Sequence, residues 1–230
     1  MAEYNLKNLD WGSQTLPVER NRVLRNTYWL LALSMLPTVL GAWLGVKMGV
    51  TQMLGGGLGL LVFLGGAFGF MYAIEKNKNS AAGVPILLAF TFFMGLMLSR
   101  LIGAILGLAN GSQLIMTAMG GTAGVFGVMA MLASVVKRDL SGMGKWLFVG
   151  MLVVFVGSIV NFFVGSGIGM MVISTLCIAI FSLYMLYDLK RIIDGGETNY
   201  ISATLALYLD IYNVFQSLLA MLGIFSGSSD

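Results

Sequence analysis

The sequence predicts an all-α integral membrane protein: seven transmembrane helices in one bundle, with the N-terminus in the cytoplasm. Three observations carry that prediction. Hydrophobic residues make up 58% of the 230 positions and charged residues only 10%, whereas a soluble domain carries about 25% charged residues. Such a chain cannot cover itself with a polar surface. Seven apolar runs are each long enough to cross a hydrocarbon core of ~30 Å, which takes about 20 residues. Finally, eleven of the 13 Lys and Arg residues fall on one side of a seven-span topology, the side that the positive-inside rule assigns to the cytoplasm.

Residues 1–22 are polar and mixed in charge, without the basic-then-apolar layout of a cleavable signal peptide. They read as a cytoplasmic segment. The transmembrane domain covers 23–225, and 226–230 form a short tail. Its runs lie near 24–46, 53–73, 82–107, 114–136, 146–165, 168–189 and 201–225. Lys7, Arg20, Arg22 and Arg25 precede or open the first run. Lys76 and Lys78 follow the second, Lys137, Arg138 and Lys145 the fourth, and Lys190 and Arg191 the sixth. The opposite side has only Lys47 in its loops. The chain is therefore expected N-in and C-out. The break VGSGIG (164–169) gives little polar relief, so a six-span chain with a re-entrant last segment is the competing topology. Trp29, Trp43, Trp146, Tyr72 and Tyr200 stand near run ends, where aromatic rings favour the membrane interface.

Composition excludes several chemistries. With no histidine, a His-based triad, His-ligated zinc and a His-ligated haem are ruled out. The single cysteine, Cys177, cannot form an intrachain disulfide and supplies no metal-ligand set. Basic residues cluster in short connections rather than on a nucleic-acid surface. The glycines at 55–59, 65–69, 103–107 and 120–124 lie in or beside apolar runs, with no preceding strand and no Walker lysine. They read as close-packing positions between membrane helices. The 17 methionines read as adaptable packing. No enzymatic activity and no cofactor is expected.

The polar groups at membrane depth matter most. Arg100 is the one basic residue well inside a span; snorkelling to the outer interface is the first reading, ahead of an internal ion pair. Asn161, near Ser158, reads as an interhelical hydrogen-bonding group. Asp188 (in SLYMLYDLKRI) and Asp210 (in LALYLDIYNVF) occupy the last two spans. A carboxylate at the helix centre costs roughly 2.5 kcal/mol or more even on gentle insertion scales, so it needs a partner or water. Asp210, Asn213 and Ser217 recur at i, i+3, i+7 with Gln216 adjoining, forming one polar stripe that lipid cannot satisfy. Taken alone, Asp188 could be an interfacial acid beside Lys190 and Arg191. Antiparallel packing of the two helices would instead bring the acids together. Two close carboxylates cannot both ionise cheaply, so the pair would share a proton. Losing that proton would add repulsion at a buried contact, which is a pH-dependent gate. Anionic oxygens also suit a transient Ca²⁺. Intramembrane aspartyl proteolysis uses paired acids too, but the usual glycine–aspartate motifs are missing.

The stretches VLRNTYWLLALS (23–34), KRDLSGMGKWLFVGMLVV (137–154) and YDLKRIIDGGETNYISATLALYLDIYNVFQSLLAMLG (187–223) resemble the transmembrane Bax inhibitor motif family, most closely its bacterial YccA-type branch. The resemblance covers essentially the whole span pattern. It implies six helices around a central, hydrophobic seventh. It further implies that Asp188 and Asp210 form a hydrogen-bonded pair whose protonation is linked to opening of a calcium leak, with Ca²⁺ and protons as the moving ions; Asn213, Ser217 and Gln216 of the polar stripe are the candidates to line such a pathway. Calcium-leak members carry an arginine near the end of the second span; AIEKNKNS here has Lys76 and Lys78 instead, which lack its bidentate fork. Those lysines are the candidate gate cations. The YccA-type branch also implies a second reading, a modulator and slow substrate of the membrane AAA protease FtsH, with the polar N-terminus as the exposed tail.

Overall fold

A computed structural model describes residues 17–50 and 56–227. Seven helices follow in order: α1 Pro17–Met48, α2 Gly56–Asn77, α3 Gly83–Leu106, α4 Gly111–Val135, α5 Met143–Val164, α6 Gly167–Ile193 and α7 Tyr200–Gly227. Each contains a segment long and apolar enough to cross a membrane, and no strand occurs among the described residues. The seven spans expected from sequence are present as seven helices. Helix α1 is described from Pro17 onward.

The doubtful fifth break is a true boundary, so seven spans stand and the re-entrant alternative falls. Gly165 takes the left-handed conformation (φ 69°), and its N–H donates to Asn161 O at 2.7 Å. Next, the Ser166 hydroxyl accepts from Gly169 N at 3.1 Å, opening α6. A C-terminal glycine cap followed at once by an N-cap serine ends one helix and starts another with no polar loop between them.

Helix α7 occupies the centre, packing against α1, α2, α3, α4 and α6. This confirms a central last helix, with one departure from a complete ring: α5 packs chiefly on α6 and stands to the outside. Apart from Leu147 and Val154 its side chains are at least partly exposed, as suits a lipid-facing span.

The closest helix pair is α1 with α3. A Cβ on Gly41 would collide with Phe92 O, one on Gly95 with Thr38 O, and one on Gly45 with the Ser99 side chain. Backbones touch here because no side chain stands between them. The glycine clusters singled out from sequence largely do otherwise. Gly65, Gly69, Gly120 and Gly124 face open space, since spacing alone does not say which side of a helix is turned inward. Pro37 interrupts the hydrogen bonding of α1; nearby, the Ser34 hydroxyl donates to Leu30 O at 2.7 Å and Thr38 to Ser34 O at 2.8 Å. Such local hydroxyl bonds help make proline tolerable in a membrane helix. Trp29, Trp43, Tyr72 and Trp146 are exposed on the bundle surface, whereas Tyr200 is half-buried.

Two short connections complete one end of the bundle. The α4–α5 turn closes on Asp139, which accepts from Ser141 N and Oγ, both at 2.8 Å. The backbone bond, then the hydroxyl bond, holds its carboxyl below the usual range. The α6–α7 turn is tied by Lys190–Asp194 at 2.7 Å and Arg191–Glu197 at 3.2 Å. Gly195 turns it at φ 81°.

Candidate functional site

Asn199 sets where α7 starts. Its side-chain oxygen accepts from Ile201 N at 2.9 Å and Ser202 N at 3.1 Å, the N-cap role suited to asparagine. Its amide nitrogen donates to Lys78 O at 3.0 Å and Asn79 Oδ1 at 2.8 Å. One residue thus caps the central helix and pins it to the α2–α3 turn.

From that anchor α7 carries Asp210 into the bundle, where it is 3% exposed. Antiparallel to it, α6 carries Asp188, and the two carboxyl groups meet as side-chain hydrogen-bonding partners. Two ionised carboxylates are both acceptors, so a bond between them requires one proton to be present. Asp210 Oδ2 is buried with no N–H or hydroxyl donor bonded to it among the described residues. A buried polar atom left unpaired costs on the order of 1–3 kcal/mol, which marks this point as one where packing has yielded to some other demand.

Charges around the pair come from the turn and from α6. Arg191 and Glu197 both bear on Asp188, and they pair with each other. Tyr184, one helical turn before Asp188, lies close enough to both acids to feel their charge. Neither Arg191 nor Tyr184 stands out in sequence as part of the pair. The i, i+4 spacing of Tyr184 and Asp188 is the signal that could have identified the tyrosine. Lys78 is drawn to Glu75 instead. Lys76 is exposed and has no ion pair among the described residues.

The polar stripe divides. Ser217 is buried and, with Cys177 of α6, forms a side-chain contact. Cys177 Sγ also reaches Asn213 O at 3.9 Å, while Asn213 turns its amide back to Leu209 O at 2.8 Å. Gln216 points elsewhere, into a cavity of about 400 Å³ lined also by Arg100 and Tyr212. Arg100 stands near the end of α3 away from the α2–α3 turn, and its guanidinium has no ion pair among the described residues. The side-chain oxygen of Asn161 in α5 lies against Gly169 of α6, a contact between the two helices without a hydrogen bond from that side chain among the described residues.

As metal ligands the acids make an incomplete set. No group of three or more Asp, Glu, Cys or His side chains is assembled among the described residues, whereas Ca²⁺ takes six to eight oxygens in ordinary protein sites. Two carboxyls could touch a passing cation but do not build a cage.

The family model described as inhibitor of apoptosis-promoting Bax1 (Bax1-I) matches residues 20–227. An uncharacterized membrane protein of Vibrio cholerae is 35% identical over 212 residues, covering 92% of this chain and 93% of its own. The modulator of FtsH protease YccA of Escherichia coli K12 is 35% identical over 210 residues, covering 91% of this chain and 93% of its own. An uncharacterized protein of Helicobacter pylori 26695 is 36% identical over 203 residues, covering 88% and 86% respectively.

Proposed function

The chain belongs to the Bax inhibitor family, and on that premise we propose that it is an inner-membrane interaction protein that modulates the membrane protease FtsH. The observation that carries this reading is the near full-length likeness to a relative named for that activity, 93% of whose length is matched. Likeness over all seven spans supports transfer of a membrane-embedded role better than a local motif would. The N-terminal segment proposed as the exposed tail falls mostly in residues 1–16, outside the described residues. Pull-down of the tagged full-length chain from native membranes is the test. FtsH should co-purify, and deleting the chain should change the lifetime of FtsH substrates. An unchanged lifetime together with no co-purification overturns the proposal.

A second reading rests on the Asp188–Asp210 contact. It is a proton-responsive cation passage, in which a shared proton holds α6 and α7 together and its loss drives them apart. The calcium-leak form of this reading has less support from the relatives than the modulator form. Its test is dye-loaded liposomes containing the purified chain. Ca²⁺ entry above that of empty liposomes, varying between about pH 6 and 8 and altered by Asp210→Asn, supports it. Entry equal to empty liposomes at every pH removes it. The two roles are compatible, because one uses the embedded acids and the other an accessible surface.

A further inference from the structure

We propose that the cavity lined by Arg100 and Gln216 binds one anionic phospholipid. Arg100 would take its phosphate and the apolar wall one of its acyl chains. The cavity, about 400 Å³, is within the range of small-ligand sites. Phe63 of α2, Leu101 of α3, Phe162 of α5 and Met170 of α6 supply apolar wall, and Tyr212 and Gln216 of the central helix line it. Only Arg100 and Gln216 bring polar side-chain groups that are otherwise unbonded.

Charge decides what such a space accepts. Arg100 lies six residues before the end of α3 at Leu106, about 9 Å along the axis at 1.5 Å per residue. That depth is within reach of the headgroup boundary for a snorkelling arginine. Every acid whose side chain is described belongs to the other half of the bundle. Glu75 ends α2, Asp139 is in the α4–α5 turn, Asp194 and Glu197 are in the α6–α7 turn, and Asp188 and Asp210 make the pair. No described carboxylate pairs with Arg100, and its exposed guanidinium is open to an anion from outside the described residues. A guanidinium presents two parallel N–H groups that match a phosphate's oxygens, and the Gln216 amide offers a further donor. Free phosphate would leave the apolar wall uncovered. A phospholipid satisfies both parts at once, and bilayer lipid is present at this depth.

Native mass spectrometry of the full-length chain, delipidated in neutral detergent, tests this with phosphatidylglycerol and phosphatidylcholine of identical chains. One phosphatidylglycerol per chain should be retained at about tenfold lower concentration than phosphatidylcholine, the scale of a charge-assisted bidentate contact. Arg100→Gln should bring the two lipids level, and Arg100→Lys should keep part of the preference. Inorganic phosphate at millimolar concentration should not displace the lipid. Equal retention of both lipids by the unmodified chain overturns the proposal, whether or not the variants fold. Preference that survives Arg100→Gln in a folded variant overturns it as well. Displacement by inorganic phosphate assigns the site to the free anion and overturns the lipid assignment.

Discussion

Where α7 faces α1 and α3, its tyrosine hydroxyls are settled: Tyr208 meets Thr38 Oγ1 at 2.9 Å and Thr91 O at 3.4 Å, and Tyr212 donates to Met94 O at 3.3 Å. Where it faces α6, two acids touch and Asp210 Oδ2 has no N–H or hydroxyl donor bonded to it among the described residues. Both flanks bury polar groups, so burial alone does not separate structure from chemistry. Satisfaction does. On the first flank, phenols reach carbonyls of α3 and lock a contact already made close by Gly41 and Gly95. On the second, the bond between the acids exists only while a proton is held, so the contact depends on solution conditions.

The largest test of this contrast is steric. Gly95→Val should abolish the well-folded state or cost on the order of 3 kcal/mol or more, because its Cβ meets the Thr38 carbonyl and neither backbone can withdraw. Loss of a monodisperse species in gel filtration is the measurement. If Gly95→Val melts like the parent, the α1–α3 flank is not rigid and the comparison fails. A glycine with open space around it, Gly124, provides the matched control. Gly124→Ala should shift stability by less than about 1 kcal/mol.

Next in size is the response of the acid flank to pH. A carboxyl that keeps its proton in the folded bundle, and releases it on unfolding, contributes stability at low pH that disappears as pH rises. The melting temperature in detergent should therefore fall from about pH 5 to pH 8, by an amount on the order of 1–2 kcal/mol in stability. Asp210→Asn should flatten that slope, since the amide can donate to Asp188 without any titrating proton. A slope that persists in Asp210→Asn would move the proton to another group, first to Asp188 or to Glu197, whose charge bears on it.

Smaller again is Tyr208→Phe. Loss of one hydroxyl contact should cost about 0.5–1.5 kcal/mol and leave the pH slope unchanged, as the phenol belongs to the settled flank. A Tyr208→Phe variant with an altered slope would show that the two flanks are coupled through α7. The same measurement on Tyr184→Phe provides the contrast, because Tyr184 stands beside both acids. There the slope should change even if the melting temperature barely moves.

Much of this molecule is legible in its residues. Seven apolar runs correspond to seven helices, because the hydrophobic thickness of a bilayer imposes one length scale on every span. Asp188 and Asp210 stand out for the same reason, since a carboxylate inside such a run has to be accounted for. The polar stripe is legible only in part. Ser217 meets Cys177 of α6 and Asn213 bonds back to its own helix, whereas Gln216, one residue off the i, i+3, i+7 register, lines the cavity. The glycines are legible only in part too: Gly66 packs on Phe93 and Gly121 near Leu218, but Gly65, Gly69, Gly120 and Gly124 of the same clusters face open space, while the isolated Gly95 sits against the Thr38 carbonyl.

What the sequence by itself determined is membrane residence, the number of spans and the existence of two costly acids. Those properties follow from transfer free energies, which are summed along the chain and need no knowledge of neighbours. Only the tertiary structure decided which groups meet. It set Asp188 against Asp210, drew Lys78 to Glu75, brought the Arg191–Glu197 pair to bear on the acids and left Arg100 facing a cavity without a described counter-charge. The reason is rotational. Each helix can turn about its axis without changing its hydropathy, and only packing against five neighbours fixes the face that α7 shows to each of them.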